Sequence, residues 1–177
     1  DTLLLLGSVK DITTPINIVW VPHELQRAQA EKAALDFEAL GFRVSWFEQS
    51  EENLKAIDLP GSRRAIIVFK KGILVELYRL GRMAYVGGGF GKGVHSVWEP
   101  AIAGAQVACG PRTERSPEAH ALASKARLTQ VETSEDLKTW ILKNEKPDSE
   151  DGLKVLLEEH LGASRRIIEY CERQVQV

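Results

Sequence analysis

The stretch from Met83 to Pro111, MAYVGGGFGKGVHSVWEPAIAGAQVACGP, most restricts what this chain can fold into. Met83–Val86 is a short apolar run bounded by glycines and reads as a buried strand. Glycines then stand at 87, 88, 89, 91 and 93. Val94–Ala103 has the composition of a helix, with Gly104 placed to stop it, and Gln106–Cys109 is a second strand ending on Gly110-Pro111. Strand, glycine loop, helix and strand in this order make one half of a nucleotide-binding α/β unit. Residues without a Cβ let backbone N–H groups approach an anion, and a helix N-terminus adds partial positive charge. Glycine-rich turns between strand and helix also occur for packing alone, so the loop by itself is compatible with both readings.

Two nucleotide motifs fail here. A P-loop requires Ser or Thr after the Gly-Lys pair, and Gly91-Lys92 is followed by Gly93. A dinucleotide fingerprint counted from Gly87 requires glycine where Lys92 stands. Neither ATP nor NAD is indicated.

The rest of the chain continues the alternation of strands and helices. Thr2–Leu6 is an apolar run closing on Gly7-Ser8 and predicts a buried parallel strand with a tight turn. Ile16–Val21 predicts the next strand, although the segment between them is shorter than the roughly dozen residues of a parallel crossover. Glu24–Leu40 carries Ala30, Ala33, Ala34, Phe37 and Leu40 at helical spacing, with Gly41 as the stop. A strand over Phe42–Phe47, a short helix over Ser50–Ile57, a Pro60-Gly61 turn, a strand over Ala65–Phe69 and a short helix over Gly72–Leu80 follow. Beyond Pro111 a helix starts at Pro117, a favoured first helical position, and Leu128–Val131 predicts a last strand. Thr133 with Asp136 has the spacing of a capping box for a helix holding Leu137, Trp140 and Ile141. Asn144–Glu150 reads as a charged linker, then a helix through Leu153, Leu156 and Leu157. A final helix has Ile167, Ile168, Cys171 and Val175 on one stripe.

This order predicts an α/β domain with a Rossmann-like, doubly wound, mainly parallel sheet of six or seven strands. In such sheets ligands bind at the carboxyl ends of the strands. Gly7-Ser8, Pro22-His23, Gly87–Gly93 and Gly110–Arg112 all follow expected strands, so they are expected to converge on one edge.

Taken as a whole, the pattern of Gly87-Gly88, His95, Glu99-Pro100, Gly104 and Gly110-Pro111 resembles the donor-side signature of bacterial 3-deoxy-D-manno-octulosonic acid (Kdo) transferases. Weaker echoes are Val21-Pro22-His23-Glu24, similar to a strand-end Pro-Arg-His-Pro of that family, and Gly7-Ser8. The sequence departs from the family at Ser96, where Asn is usual, and at Arg112 and Arg115-Ser116, where His and Asn-Phe are usual. The upstream motif also lacks its Arg. The resemblance implies one half of a GT-B glycosyltransferase fold, with residues 1–177 as a single C-terminal donor-binding domain and the last helices, about 150–177, at its edge. It implies a nucleotide sugar donor, CMP-Kdo, a lipid A precursor as acceptor, and no cofactor or metal. The N-terminal acceptor domain, expected to carry the catalytic base, lies outside the chain. The full enzyme is expected at the cytoplasmic face of the bacterial inner membrane. Two alternatives stay open: another GT-B enzyme using a UDP-sugar, and a non-catalytic nucleotide-binding module.

The candidate donor-binding residues are Gly87, Gly88, Gly89, Lys92, His95, Ser96, Glu99, Arg112, Gly7, Ser8 and His23. The first three would let a phosphate approach the backbone. His95, at the expected helix N-terminus, can meet a phosphate or carboxylate, or simply cap and pack. Glu99, one turn further on, would by the resemblance accept both ribose hydroxyls, and is otherwise a solvated carboxylate favoured by the helix dipole. A metal pair of His95 and Glu99 lacks a third ligand. Ser96 keeps a hydrogen-bonding hydroxyl, and Lys92 can neutralise phosphate. Arg112 and Arg115 can grip an anion bidentately or form a solvated basic loop. Glu118 matches an acid of the resembled family and is equally compatible with a first-turn helix carboxylate, while His23 and Glu24, at the second strand end, rank lower.

Composition narrows the partners. A chain of 177 residues with 44% hydrophobic content is long enough for one domain with a full core and too short for a two-domain GT-B enzyme. A net charge of −2 and a pI near 6.1 give no nucleic-acid footprint. Cys109 and Cys171 have no metal or redox spacing and read as buried free thiols of a reducing compartment. No segment approaches the roughly 18 apolar residues of a membrane-spanning helix, and no signal peptide is visible. Asp1 in place of Met and an apolar run that starts at once are what an excised C-terminal domain would show.

Overall fold

The computed structural model describes residues 1–48, 63–143, 158 and 162–175. In chain order the elements are α1 (Thr2–Val9), β1 (Asn17–Trp20), α2 (Arg27–Ala39), β2 (Arg43–Phe47), β3 (Arg64–Val68), α3 (Leu74–Leu80), β4 (Met83–Val86), α4 (Trp98–Ile102), β5 (Gln106–Cys109), α5 (Pro117–Ser124), β6 (Leu128–Gln130), α6 (Ser134–Lys143) and α7 (Ala163–Val175). The helix expected over Ser50–Ile57, the Pro60-Gly61 turn, the Asn144–Glu150 linker and the helix through Leu153, Leu156 and Leu157 lie outside the described residues.

All the described strand pairings are parallel, which is the sheet type that strands alternating with helices produce. The strands form two three-stranded sheets, in the orders β1-β3-β2 and β4-β5-β6, where one continuous sheet was expected. β3, the central strand of the first sheet, is an apolar run with Ala65, Ile66, Ile67 and Val68 all buried, as a parallel strand covered on both faces requires. In the second sheet β5 holds the central place and buries Val107, Ala108 and Cys109.

The reading of Thr2–Leu6 as a strand is corrected: these residues open α1. A run of leucines lacks the β-branched residues that favour strands and has high helix propensity, and a short apolar run carries no periodicity to decide between the two. The correction also removes the short-crossover difficulty. Residues 10–16 join a helix to a strand, and no parallel crossover has to fit between them.

α1 then ties the two sheets together. Val9, Leu5 and Leu6 pack with Ala30, Ala33, Phe37 and Ile67 around the first sheet, while Leu4 and Leu5 pack with Ala108, Val131, Leu137 and Trp140 beside the second. Gly7 makes this possible. A Cβ there would come within 2.6 Å of Ser134 Oγ, whose hydroxyl donates to the Leu4 carbonyl at 3.1 Å.

α6 starts as its sequence predicts. The Asp136 N–H donates to Thr133 Oγ1 at 3.1 Å, and the Thr133 N–H donates back to Asp136 Oδ2 at 2.9 Å, closing a reciprocal capping box. On α7 Ile167 is 63% and Ile168 56% exposed, and Cys171, expected to be buried, is exposed beside them, because nothing among the described residues covers this face. Its edge placement with the preceding segment involves residues outside the described set.

Candidate functional site

The site is built where β4 and β5 end. After Val86 the chain enters the glycine loop, and after Cys109 it enters Gly110–Ser116; the two loops lock together through their backbones. The Arg112 N–H donates to Gly89 O at 2.9 Å, Val94 N–H to Arg112 O at 3.3 Å, and the Arg112 guanidinium to Gly91 O at 2.8 Å. Gly89 and Gly110 touch main chain to main chain: a Cβ on Gly89 would lie 2.7 Å from Gly110 Cα. Gly88 has φ +94°, and a Cβ on it would lie 2.5 Å from Gly93 O and 2.9 Å from the His95 ring. So these glycines are required by the close packing of two strand-end loops, and that packing fixes the site.

The helix after the loop is shorter than expected. α4 begins at Trp98, and residues 94–95 instead belong to the interlocked loops, the His95 N–H donating to Gly87 O at 3.1 Å. His95 therefore does not stand at the helix N-terminus where the sequence places it. Its exposed imidazole instead stacks on His23 from the segment after β1, centroids 4.4 Å apart and planes 27° apart. Burial, and then the neighbouring His23, lower the His95 pKa below 6.5.

Around this stack lies a cleft of about 230 Å³ lined by Lys92, Gly93, Val94, His95, Arg112, Arg115 and Ser116. The structure thus brings Lys92, His95, His23, Arg112 and Arg115 to one place. Three cationic side chains beside a histidine pair make a site for an anion. Ser116 is committed to α5: its Oγ accepts from Ala119 N–H at 3.2 Å and donates to Glu118 at 3.1 Å, so Glu118 is engaged as a first-turn helix acid. Ser96 and Glu99 are exposed, and neither lines this cleft. Glu99 occupies the first turn of α4, where its charge, after burial, raises the Tyr78 pKa across the α3–α4 contact.

Gly7 and Ser8 are a correction of placement. They belong to a helix, with Ser8 buried and its hydroxyl donating to Leu5 O at 2.7 Å, and they sit in the α1–α6 contact instead of at a strand end. Glu24 accepts from Gln26 at 2.7 Å. Sequence reasoning missed three participants. Gln130 on β6 donates to Thr113 Oγ1 at 2.7 Å and holds the second loop from behind. Tyr85 and Asp1 meet the glycine loop, the Tyr85 hydroxyl donating to Asp1 Oδ1 at 2.7 Å and Gly88 N–H to Asp1 Oδ2 at 2.9 Å. The alternation of β4 singles out Tyr85 as a polar-tipped neighbour of Gly87, but nothing local in the sequence links it to Asp1.

Among the described residues no group of three or more His, Cys, Asp or Glu side chains is placed to hold a metal. No helix among them is long and apolar enough to cross a membrane. A second cavity, of about 310 Å³, lies between β5, β6 and α6 and holds none of the candidate residues.

An α/β domain with parallel strands and a cationic cleft at the strand carboxyl ends has the architecture of one half of a GT-B fold. Comparison with solved structures agrees on the fold: the chain superposes on the crystal structure of the C-terminal CMP-Kdo binding domain of WaaA from Acinetobacter baumannii with a TM-score of 0.56 and 11% identity, over 80% of this chain and 85% of that one. By sequence it is similar to 3-deoxy-D-manno-octulosonic acid transferases, 35% identical over 109 residues to that of Aquifex aeolicus (strain VF5) and 27% identical over 116 residues to that of Chlamydophila psittaci (strain ATCC VR-125 / 6BC). These matches cover 60% and 64% of this chain but 27% and 25% of the relatives, so the chain spans about a quarter of the length of the curated relatives it matches. No protein-family model matches the chain.

Proposed function

We propose that this chain is the donor-binding domain of a Kdo transferase, and that it holds CMP-Kdo for transfer to a lipid A precursor supplied by an N-terminal domain at the cytoplasmic face of the inner membrane. The observation that carries this reading is the convergence of the two interlocked loops with Lys92, His95, Arg112 and Arg115 around one cleft at the strand carboxyl ends. A phosphate lies in that cleft, with the Arg112 guanidinium already oriented by its bond to Gly91 O. Similarity to two Kdo transferases, and a fold shared with a CMP-Kdo binding domain, support a cytidine nucleotide as the ligand. Glu99, on the next element, takes the ribose hydroxyls.

Calorimetric titration with CMP, with UDP as competitor, tests both parts. The protein is expected to bind CMP in preference to UDP. A hydrogen bond to a charged group contributes roughly 1.5–3 kcal/mol, so Glu99→Gln is expected to weaken CMP by about ten- to a hundredfold. Preference for UDP would favour a diphosphate sugar held by the same three cations, and binding of neither nucleotide would sink the reading.

A further inference from the structure

The glycine loop already holds an anion, and that anion is a carboxylate. Asp1 Oδ2 accepts from the Gly88 N–H at 2.9 Å and Asp1 Oδ1 from the Tyr85 hydroxyl at 2.7 Å, one donor for each oxygen. The backbone conformation serves the contact: Gly88 points its amide from the left-handed region at φ +94°, and Gly87 lies beside the carboxylate, with a position for a Cβ 3.4 Å from Asp1 Oδ2. Nor does the contact serve the helix that Asp1 starts. Asp1 stands at the N-cap of α1 but its side chain makes no capping bond; only its carbonyl accepts, from Leu5 N–H at 3.1 Å.

From this geometry we infer that Gly88 N–H and Tyr85 OH form a carboxylate subsite, which Asp1 fills in the free protein and the carboxylate of a sugar-acid donor fills in the bound one. The assignment rests on the reading of the chain as a nucleotide-sugar binding domain and says which part of the donor goes where. Both donors here are neutral, and their number matches the two oxygens of a planar carboxylate. A phosphate is more highly charged and is better served by Lys92, Arg112 and Arg115 in the cleft. The two places adjoin at His95, which lines the cleft and whose ring lies 2.9 Å from where a Gly88 Cβ would stand. A nucleotide-linked sugar acid carries both groups in one molecule, and the octulosonic acid named in the two relatives is of this class. Tyr85 suits the role, since burial, and then Cys109, push its hydroxyl pKa up to about 12 and keep it a donor at neutral pH.

The test is to empty the subsite and refill it with the smallest carboxylate. Asp1 is exposed and its side chain caps nothing, so Asp1→Ala retains the fold. Acetate and inorganic phosphate are titrated separately into wild type, Asp1→Ala and Asp1→Ala/Tyr85→Phe, following the Gly88 amide by ¹H–¹⁵N correlation. Acetate is expected to shift Gly88 in Asp1→Ala at a half-saturating concentration at least about tenfold below that of wild type. The added Tyr85→Phe is expected to abolish that gain. An equal acetate response in wild type and Asp1→Ala overturns the inference, and so does phosphate moving Gly88 as readily as acetate. CMP titrated into the same proteins separates the two claims. An acetate gain without CMP binding by any of them leaves the carboxylate subsite standing and removes the nucleotide-sugar reading.

Discussion

His95 shows how one residue links the site to the medium. Its ring is stacked on His23, and burial with the neighbouring imidazole disfavours its charged form, so its folded pKa lies below the ordinary 6.5. Between the two values the unfolded chain binds more protons than the folded one, and stability therefore rises with pH. The contribution is fully present above pH 6.5 and is lost as pH falls from there through the depressed folded pKa. Denaturant unfolding followed from pH 7.5 to pH 5 is expected to show wild type losing more stability than His95→Gln below about pH 6.5. Matching profiles would mean that the stacked pair exerts no cost on protonation. A saturating anion in the cleft favours the imidazolium, so CMP is expected to shrink the difference. Of this residue the sequence disclosed its place beside a glycine loop, but not its partner. His23 lies some seventy residues earlier, after a strand of the other sheet, and only the packing of the two sheets brings the rings together.

At the scale of elements, α6 is the clearest case of sequence specifying structure. Its capping box, its buried Leu137 and Trp140 and its last-turn Lys143 all follow from local spacing. Thr133→Ala removes the acceptor for the Asp136 N–H and is expected to cost about 1 kcal/mol of folding stability, read as a lower denaturant midpoint with an unchanged slope. A midpoint equal to wild type would show that the box adds nothing to the tertiary contacts of α6. β4 and β5 were equally legible, because short apolar runs between glycines leave a buried strand few alternatives. Two elements were not. α1 was misread because leucine runs suit either state and its burial against α6 depends on Ser134, which is remote in sequence. α4 was drawn too long because nothing in Val94–Val97 announces that the amides of Val94 and His95 bond to Arg112 and Gly87. In both, tertiary contacts overrode a reasonable local reading, and both corrections bear on the candidate site. Gly7 and Ser8 leave it, and His95 acts through a ring stack instead of a helix end.

The whole molecule presents its cationic cleft on the edge where β4 and β5 end, built from two loops, with His23 from beyond β1 stacked on the His95 that lines it. One domain supplies one wall. In the proposed reading the acceptor and the group that takes its proton come from a second domain, consistent with a chain that spans about a quarter of the relatives' length. The described cleft contains cations and histidine, a set suited to holding a phosphate and stabilising it as a leaving group. It contains no carboxylate free to act as a general base toward an incoming hydroxyl: Glu118 is bonded to Ser116, and Glu99 does not line it. Holding the two reactants together contributes more than the typically 10²–10⁴-fold of general-base assistance, so a wall that holds only the donor forgoes the larger factor even with His95 beside it. The isolated chain is therefore expected to bind CMP and to transfer no sugar when CMP-Kdo and a lipid A precursor are supplied together. Mass spectrometry of the lipid after prolonged incubation, with a full-length Kdo transferase as the positive control, measures this. Appearance of the glycosylated lipid in step with the purified chain's concentration would show that the residues described here suffice for catalysis, and that the second domain serves a purpose other than completing the active site.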